Sequence, residues 1–113
     1  MDQINAIVDC DVARLNAPLR TWRAVRGFGF VAILRRVPAD VTGVSVRVYS
    51  VEAAQGVQAV YADCAGVERA DGGWLVRCPS SAFPNSGELH YAAAGVASDG
   101  EPCALGRGRL VVE

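Results

Sequence analysis

Lysine is missing altogether: each of the eleven basic side chains in this 113-residue chain is an arginine. A genome rich in G and C accounts for such a bias without any function. The functional alternative is planar guanidinium forks for recognising carboxylates or aromatic rings at an interface. Histidine occurs once, as His90, so acid–base chemistry at neutral pH has a single ordinary candidate. The four cysteines, Cys10, Cys64, Cys78 and Cys103, are widely separated, with no C-x-x-C pair, a spacing that argues against a zinc site. For a cytoplasmic chain they are expected to be buried free thiols, and for an exported one two disulfides whose connectivity the spacing leaves open. No apolar run approaches the ~20 residues that span a bilayer. Met1-Asp2-Gln3 is acidic where a secretory signal would be basic. A cytoplasmic location before any assembly is therefore expected, with no signal peptide and no membrane partner.

What is present describes one folded unit. Hydrophobic residues make up 51% and charged residues 20% of the chain, a balance that favours a single core over disorder. With a formal net charge of -1 and a pI near 5.8, no long-range attraction to nucleic acid or to an anionic membrane follows. The domain expected is 1–113, with 1–26 an N-terminal arm or irregular segment.

The strongest structural signal is Gly87 to Val112, where two extended runs flank Asp99-Gly100, a dipeptide suited to a tight hairpin turn. A two-residue turn there sets Ala94 opposite Leu105, Tyr91 opposite Gly108, His90 opposite Arg109 and Leu89 opposite Leu110; Pro102, which cannot donate a ladder hydrogen bond, points either to an N–H side that faces away from a neighbour or to a loop longer than two residues. Leu89, Tyr91 and Ala93 then share the core face with Leu110 and Val112, while His90 joins Arg107 and Arg109 on the other. Gly27 to Val37 reads as a central strand, with Phe28, Phe30, Ala32 and Leu34 on one face, Val31 and Ile33 on the other, and little solvent on either. Val44, Val46 and Val48 alternate with polar residues, as in a half-buried strand. Ile4 to Asp9 reads as a first strand or an N-terminal arm, its apolar content favouring the strand, and Val57 to Cys64 is a further strand. Asp71-Gly72 predicts a second hairpin with Val67 opposite Val76, Arg69 opposite Trp74, and Trp74, Val76 and Cys78 inward. Asp11 to Leu15 is a possible helical turn stopped before Pro18, and Leu19 to Arg26 is irregular or extended. Short strands separated by turn signals, with no long helical period, predict an antiparallel two-layer β-sandwich of immunoglobulin-like shape, a small barrel being the alternative.

No catalytic constellation emerges. His90 lies on the face expected to be wet, with no serine or cysteine nucleophile converging on it. Gly27-Phe28-Gly29 and Gly106-Arg107-Gly108 open no helix that would hold a phosphate, so they mark bulges or close packing, and no cofactor is implied. Arg20, Trp22, Arg23 and Arg26, with Arg35 and Arg36 nearby in sequence, form the one basic–aromatic cluster. Twelve acidic residues count against its binding single-stranded nucleic acid. Packing of Trp22 against the core is the leading reading, and an anchor for protein–protein contact is the functional one beside it. Trp74, Tyr49 and Tyr61 are candidates for a stacking platform in a carbohydrate- or peptide-binding module.

Two stretches carry a family resemblance. RGFGFVAILRRVPADVTGVSVRVYS, Arg26 to Ser50, resembles the opening of small β-sandwich modules in tailed-phage baseplate and tail-fibre proteins. GELHYAAAGVASDGEPCALGRGRLVV, with its L-G-x-G-x-L return from Leu105 to Leu110, is similar to their last hairpin. The resemblance implies a non-enzymatic structural protein that packs against copies of itself or other virion proteins, as a homo-oligomer, and resides in the virion. It brings no catalytic or ligand-binding residues.

Overall fold

The computed structural model describes residues 4–10, 21–50 and 60–113, with the Tyr61 side chain outside the described residues. Among the described residues the chain forms eight strands: β1 (Ala6–Asp9), β2 (Trp22–Ala24), β3 (Phe30–Arg35), β4 (Thr42–Ser50), β5 (Val60–Glu68), β6 (Trp74–Cys78), β7 (Gly87–Val96) and β8 (Pro102–Val112). They form one sheet in the order β1-β3-β6-β5-β4-β7-β8-β2. A single 3₁₀ turn, Ser80–Ala82, interrupts the strands among the described residues. The expected helical turn at Asp11 to Leu15 lies outside them, as does Arg20.

The all-β expectation holds, but the antiparallel two-layer arrangement is corrected. Both end strands pair in parallel, β1 with β3 and β2 with β8, so the sheet is mixed. Nor does it divide cleanly into layers. β5 pairs with β4 along its first part and with β6 from Gly66 onward, carrying hydrogen bonding around the corner. A Cβ on Gly66 would meet the Val44 carbonyl oxygen at 3.0 Å and the Trp74 ring at 3.3 Å, so glycine permits this bend. The two ends of the sheet then return to face each other: β1 and β2 border a groove of about 410 Å³ lined by residues 5–9 and Thr21, Trp22 and Arg23. The result is nearer the barrel alternative.

Inward side chains from every strand fill the enclosed space. Val44, Val46 and Val48 are buried as their alternation predicts, as are Phe30, Ala32 and Leu34 of β3, and Trp74, Val76 and Cys78 of β6. At the centre the Trp22 ring stacks on Tyr91, with centroids 3.6 Å apart and planes 6° from parallel, and it lies 5.2 Å from Phe30. Phe83 follows the 3₁₀ turn, is fully buried and approaches Phe30 at 6.2 Å. Phe28 departs from the expected face and is 66% exposed. Gly27, at φ 79°, and the Phe28 N–H donating to the Val25 carbonyl turn the chain just before β3 begins at Phe30.

Both hairpins close differently from the expected two-residue turns. The Gly100 N–H donates to the Ala97 carbonyl and the Ala97 N–H to that of Glu101; Gly72, Arg69 and Gly73 repeat this pattern. Each is a three-residue loop ending in a positive-φ glycine, which displaces the adjoining register by one. In β7–β8 an extra residue, Leu105, between the Ala94–Ala104 and Ala93–Gly106 pairs restores the expected register, and Tyr91–Gly108, His90–Arg109 and Leu89–Leu110 are observed. In β5–β6 nothing restores it. Val67 pairs with Leu75 and Glu68 with Trp74, so Val67, expected inside, is 67% exposed.

Candidate functional site

Trp22 belongs to the core, since its indole is stacked between Tyr91 and Phe30. It takes the packing role and leaves no aromatic anchor on the surface of the basic cluster. Arg23 and Arg26 are exposed. Arg23 is held by the Glu113 carboxylate, and Arg35 by Asp9 through two hydrogen bonds of 2.8 and 3.1 Å. Those two guanidinium groups are therefore matched by carboxylates.

His90 sits on the solvent-facing side of β7, as the register required. Its ring stacks on Tyr49 of β4 at 5.5 Å and 15°, and it is half-buried. Arg107 and Arg109 stand beside it, and with Tyr49 and Gly108 they line a shallow hollow of about 400 Å³. Arg109 approaches Glu88 at 3.5 Å. Among the described residues His90 has ring stacking but no serine or cysteine side chain hydrogen-bonded to it, so no nucleophile–base pair is assembled there. Of the three rings proposed as a platform, Trp74 is buried, Tyr49 is half-buried against His90, and the Tyr61 side chain is outside the described residues.

A different surface emerges once the registers are known. Ile7 pairs with Ile33, Ile33 with Leu75, and Leu75 with Val67, which aligns four branched apolar side chains in one row across β1, β3, β6 and β5. The row lies on the outer face, because alternation sends Val8, Leu34 and Val76 inward. Its ends are bare, with Ile7 55% and Val67 67% exposed, while Ile33 is only 6% exposed. Two residues from Ile33 on the same face, Val31 connects the row to a hollow of about 600 Å³ lined also by Val25, Phe28, Asn5 and Arg77. The exposed Phe28 ring belongs to that hollow.

Polar groups rim this apolar surface. The Asn5 Oδ1 accepts the Val31 N–H at 2.9 Å, and the Asp9–Arg35 pair closes the other side. An apolar centre with hydrogen-bonded and ionic margins is the anatomy of an association surface. The signal in the sequence was the second apolar face of β3, Val31 and Ile33. What was missing was the pairing that puts Ile7, Leu75 and Val67 beside it. Arg77 lies at the same rim, and none of the four residues of the basic cluster is in the row.

No protein-family model matches the chain, and no curated protein is significantly similar to it. Among the described residues no helix is long and apolar enough to cross a membrane.

Proposed function

We propose that this protein is a non-enzymatic structural or assembly module that works by protein–protein association, packing against further copies of itself through the outer face of β1, β3, β6 and β5. The observation that carries this reading is the Ile7–Ile33–Leu75–Val67 row, because branched apolar side chains left in water at both ends of an ordered row gain most by being covered. Membership of a phage or phage-derived particle is supported by the resemblance of Arg26–Ser50 and Gly87–Val112 to tail modules. Recovery of the chain from purified particles is the expected result for that part of the reading.

Sedimentation velocity tests the association. The wild-type protein is expected to self-associate as its concentration rises. Ile7→Asp and Val67→Asp, which place charge on exposed positions without entering the core, are expected to weaken association about tenfold or more each, a loss of roughly 1.4 kcal/mol. A wild-type protein that stays monomeric at high concentration and sediments identically to both variants would sink the proposal.

A carbohydrate- or peptide-binding module is the second reading, favoured by the Tyr49–His90 stack beside Arg107 and Arg109. A panel of oligosaccharides and acidic peptides, titrated while following Tyr49 and His90 resonances, separates the two. Ligand-induced shifts confined to that hollow support this alternative, and their absence removes it.

A further inference from the structure

Cys64 and Cys78 occupy matched positions on neighbouring strands. The β5–β6 ladder pairs Gly66 with Val76, and continuing the same register by two residues brings Cys64 opposite Cys78 on the inward face. Both are buried, at 7% and 3% exposure, and each thiol bears on the ionisation of the other. Cys10 follows β1, its N–H donating to the Arg35 carbonyl of β3, while Cys103 pairs with Gly95 of β7. All four stand as thiols in this structure.

We propose that Cys64 and Cys78 are a disulfide-forming pair, bridged when the chain folds in the presence of a small-molecule disulfide. One cysteine thiolate attacks the reagent's sulfur–sulfur bond and expels a thiolate, leaving a mixed disulfide. The second cysteine thiolate then attacks the cysteine sulfur of that intermediate and expels the second reagent thiolate. Both cysteine protons end on the two expelled thiolates. The two cysteine sulfurs are oxidised by two electrons in total, and the reagent is reduced to two thiols.

Timing follows from the surroundings. Burial pushes both thiols up from their ordinary range, Cys78 the further, so the attacking thiolate is scarce once the core has closed. The bridge therefore forms while the β5–β6 hairpin is still open to solvent, and reagents reach it slowly in either direction afterwards. It spans the corner at Gly66 where β5 passes from β4 to β6, tying the two halves of the sheet where their direct hydrogen bonding changes partner.

The test is refolding from denaturant with oxidised and reduced glutathione, followed by mass spectrometry of the intact chain and its peptides. The expected product has lost two hydrogen atoms, links the Cys64 and Cys78 peptides, and melts roughly 10 °C above the reduced form. The same buffer added to already folded protein is expected to give the link at least about tenfold more slowly. Cys103→Ser is expected to leave the link intact, and Cys64→Ala to abolish it without transferring it to Cys10 or Cys103. Should Cys64→Ala fail to fold, peptide mapping of the wild-type product decides alone. Refolded protein that keeps four alkylatable thiols, or that links any other pair predominantly, overturns the assignment.

Discussion

Two hairpins of this molecule are built on one pattern, Ala70-Asp71-Gly72 and Ser98-Asp99-Gly100, and they close in the same way. Each glycine has positive φ, 84° and 86°, and each donates its N–H to the carbonyl three residues back. Each aspartate accepts the N–H two residues ahead through Oδ1 at 3.0 Å. The identical turns nevertheless feed different ladders. In β7–β8 the extra residue at Leu105 absorbs the displacement, and the aromatic face still meets the core. In β5–β6 the displacement runs on, turning Val67 outward and setting side-chain-free Gly66 against Val76. Turn chemistry therefore locates a chain reversal, while the strand beyond it decides which side chains are buried.

The largest expected effect tests that difference directly. Tyr91→Ala removes a fully buried ring stacked on Trp22, and by chemical denaturation it should cost about 3–5 kcal/mol. Val67→Ala, on the displaced strand, should change stability by only about 0.5 kcal/mol or less. A Val67→Ala loss as large as that of a core valine would mean that β5 keeps the undisplaced register. Should Tyr91→Ala be mild, the β7–β8 hairpin does not hold the centre of the core.

A smaller effect tests the sameness of the turns. A Cβ at Gly72 or Gly100 meets nothing within 4 Å, so the cost of alanine there is backbone conformation alone, about 1–2 kcal/mol at either site. Equal losses in thermal melts of Gly72→Ala and Gly100→Ala are expected. Unequal losses would show that one ladder resists distortion of its turn more than the other, breaking the equivalence on which the comparison rests.

The elements legible in the sequence are those whose burial is decided by their own alternation. Val44, Val46 and Val48 needed no knowledge of their neighbours, and His90 reached the solvent side because the Leu105 bulge happened to cancel the error in the loop. Trp22 was harder to read. Its strand has three residues set among arginines, and its burial depends on Tyr91, which lies 69 positions further along the chain. Parallel pairing of β1 and β2 at opposite ends of the sheet is likewise settled by the closure of the whole sheet. The apolar row was half legible: Val31 and Ile33 declared a second covered face, but Ile7 and Val67 joined it only through three registers, one of them displaced.

The smallest effect concerns the thiols that the displaced register brings together on the β5–β6 hairpin. Burial raises Cys64 and Cys78 above the ordinary value of 9.0, and the charge of Cys64 raises Cys78 further. Below that pH both thiols are protonated in the folded and unfolded states alike, and the difference contributes its full stabilisation. Above it the unfolded chain ionises first and binds fewer protons than the native one, so stability falls as pH rises. In reduced protein the contribution of Cys78 to this loss should be about 1 kcal/mol per pH unit above pH ~9, read as a falling urea midpoint. The informative quantity is the difference between wild type and Cys78→Ala, whose curve should be flatter by that amount. Parallel curves would mean that water reaches this thiol pair, and with it the corner where β5 changes partner.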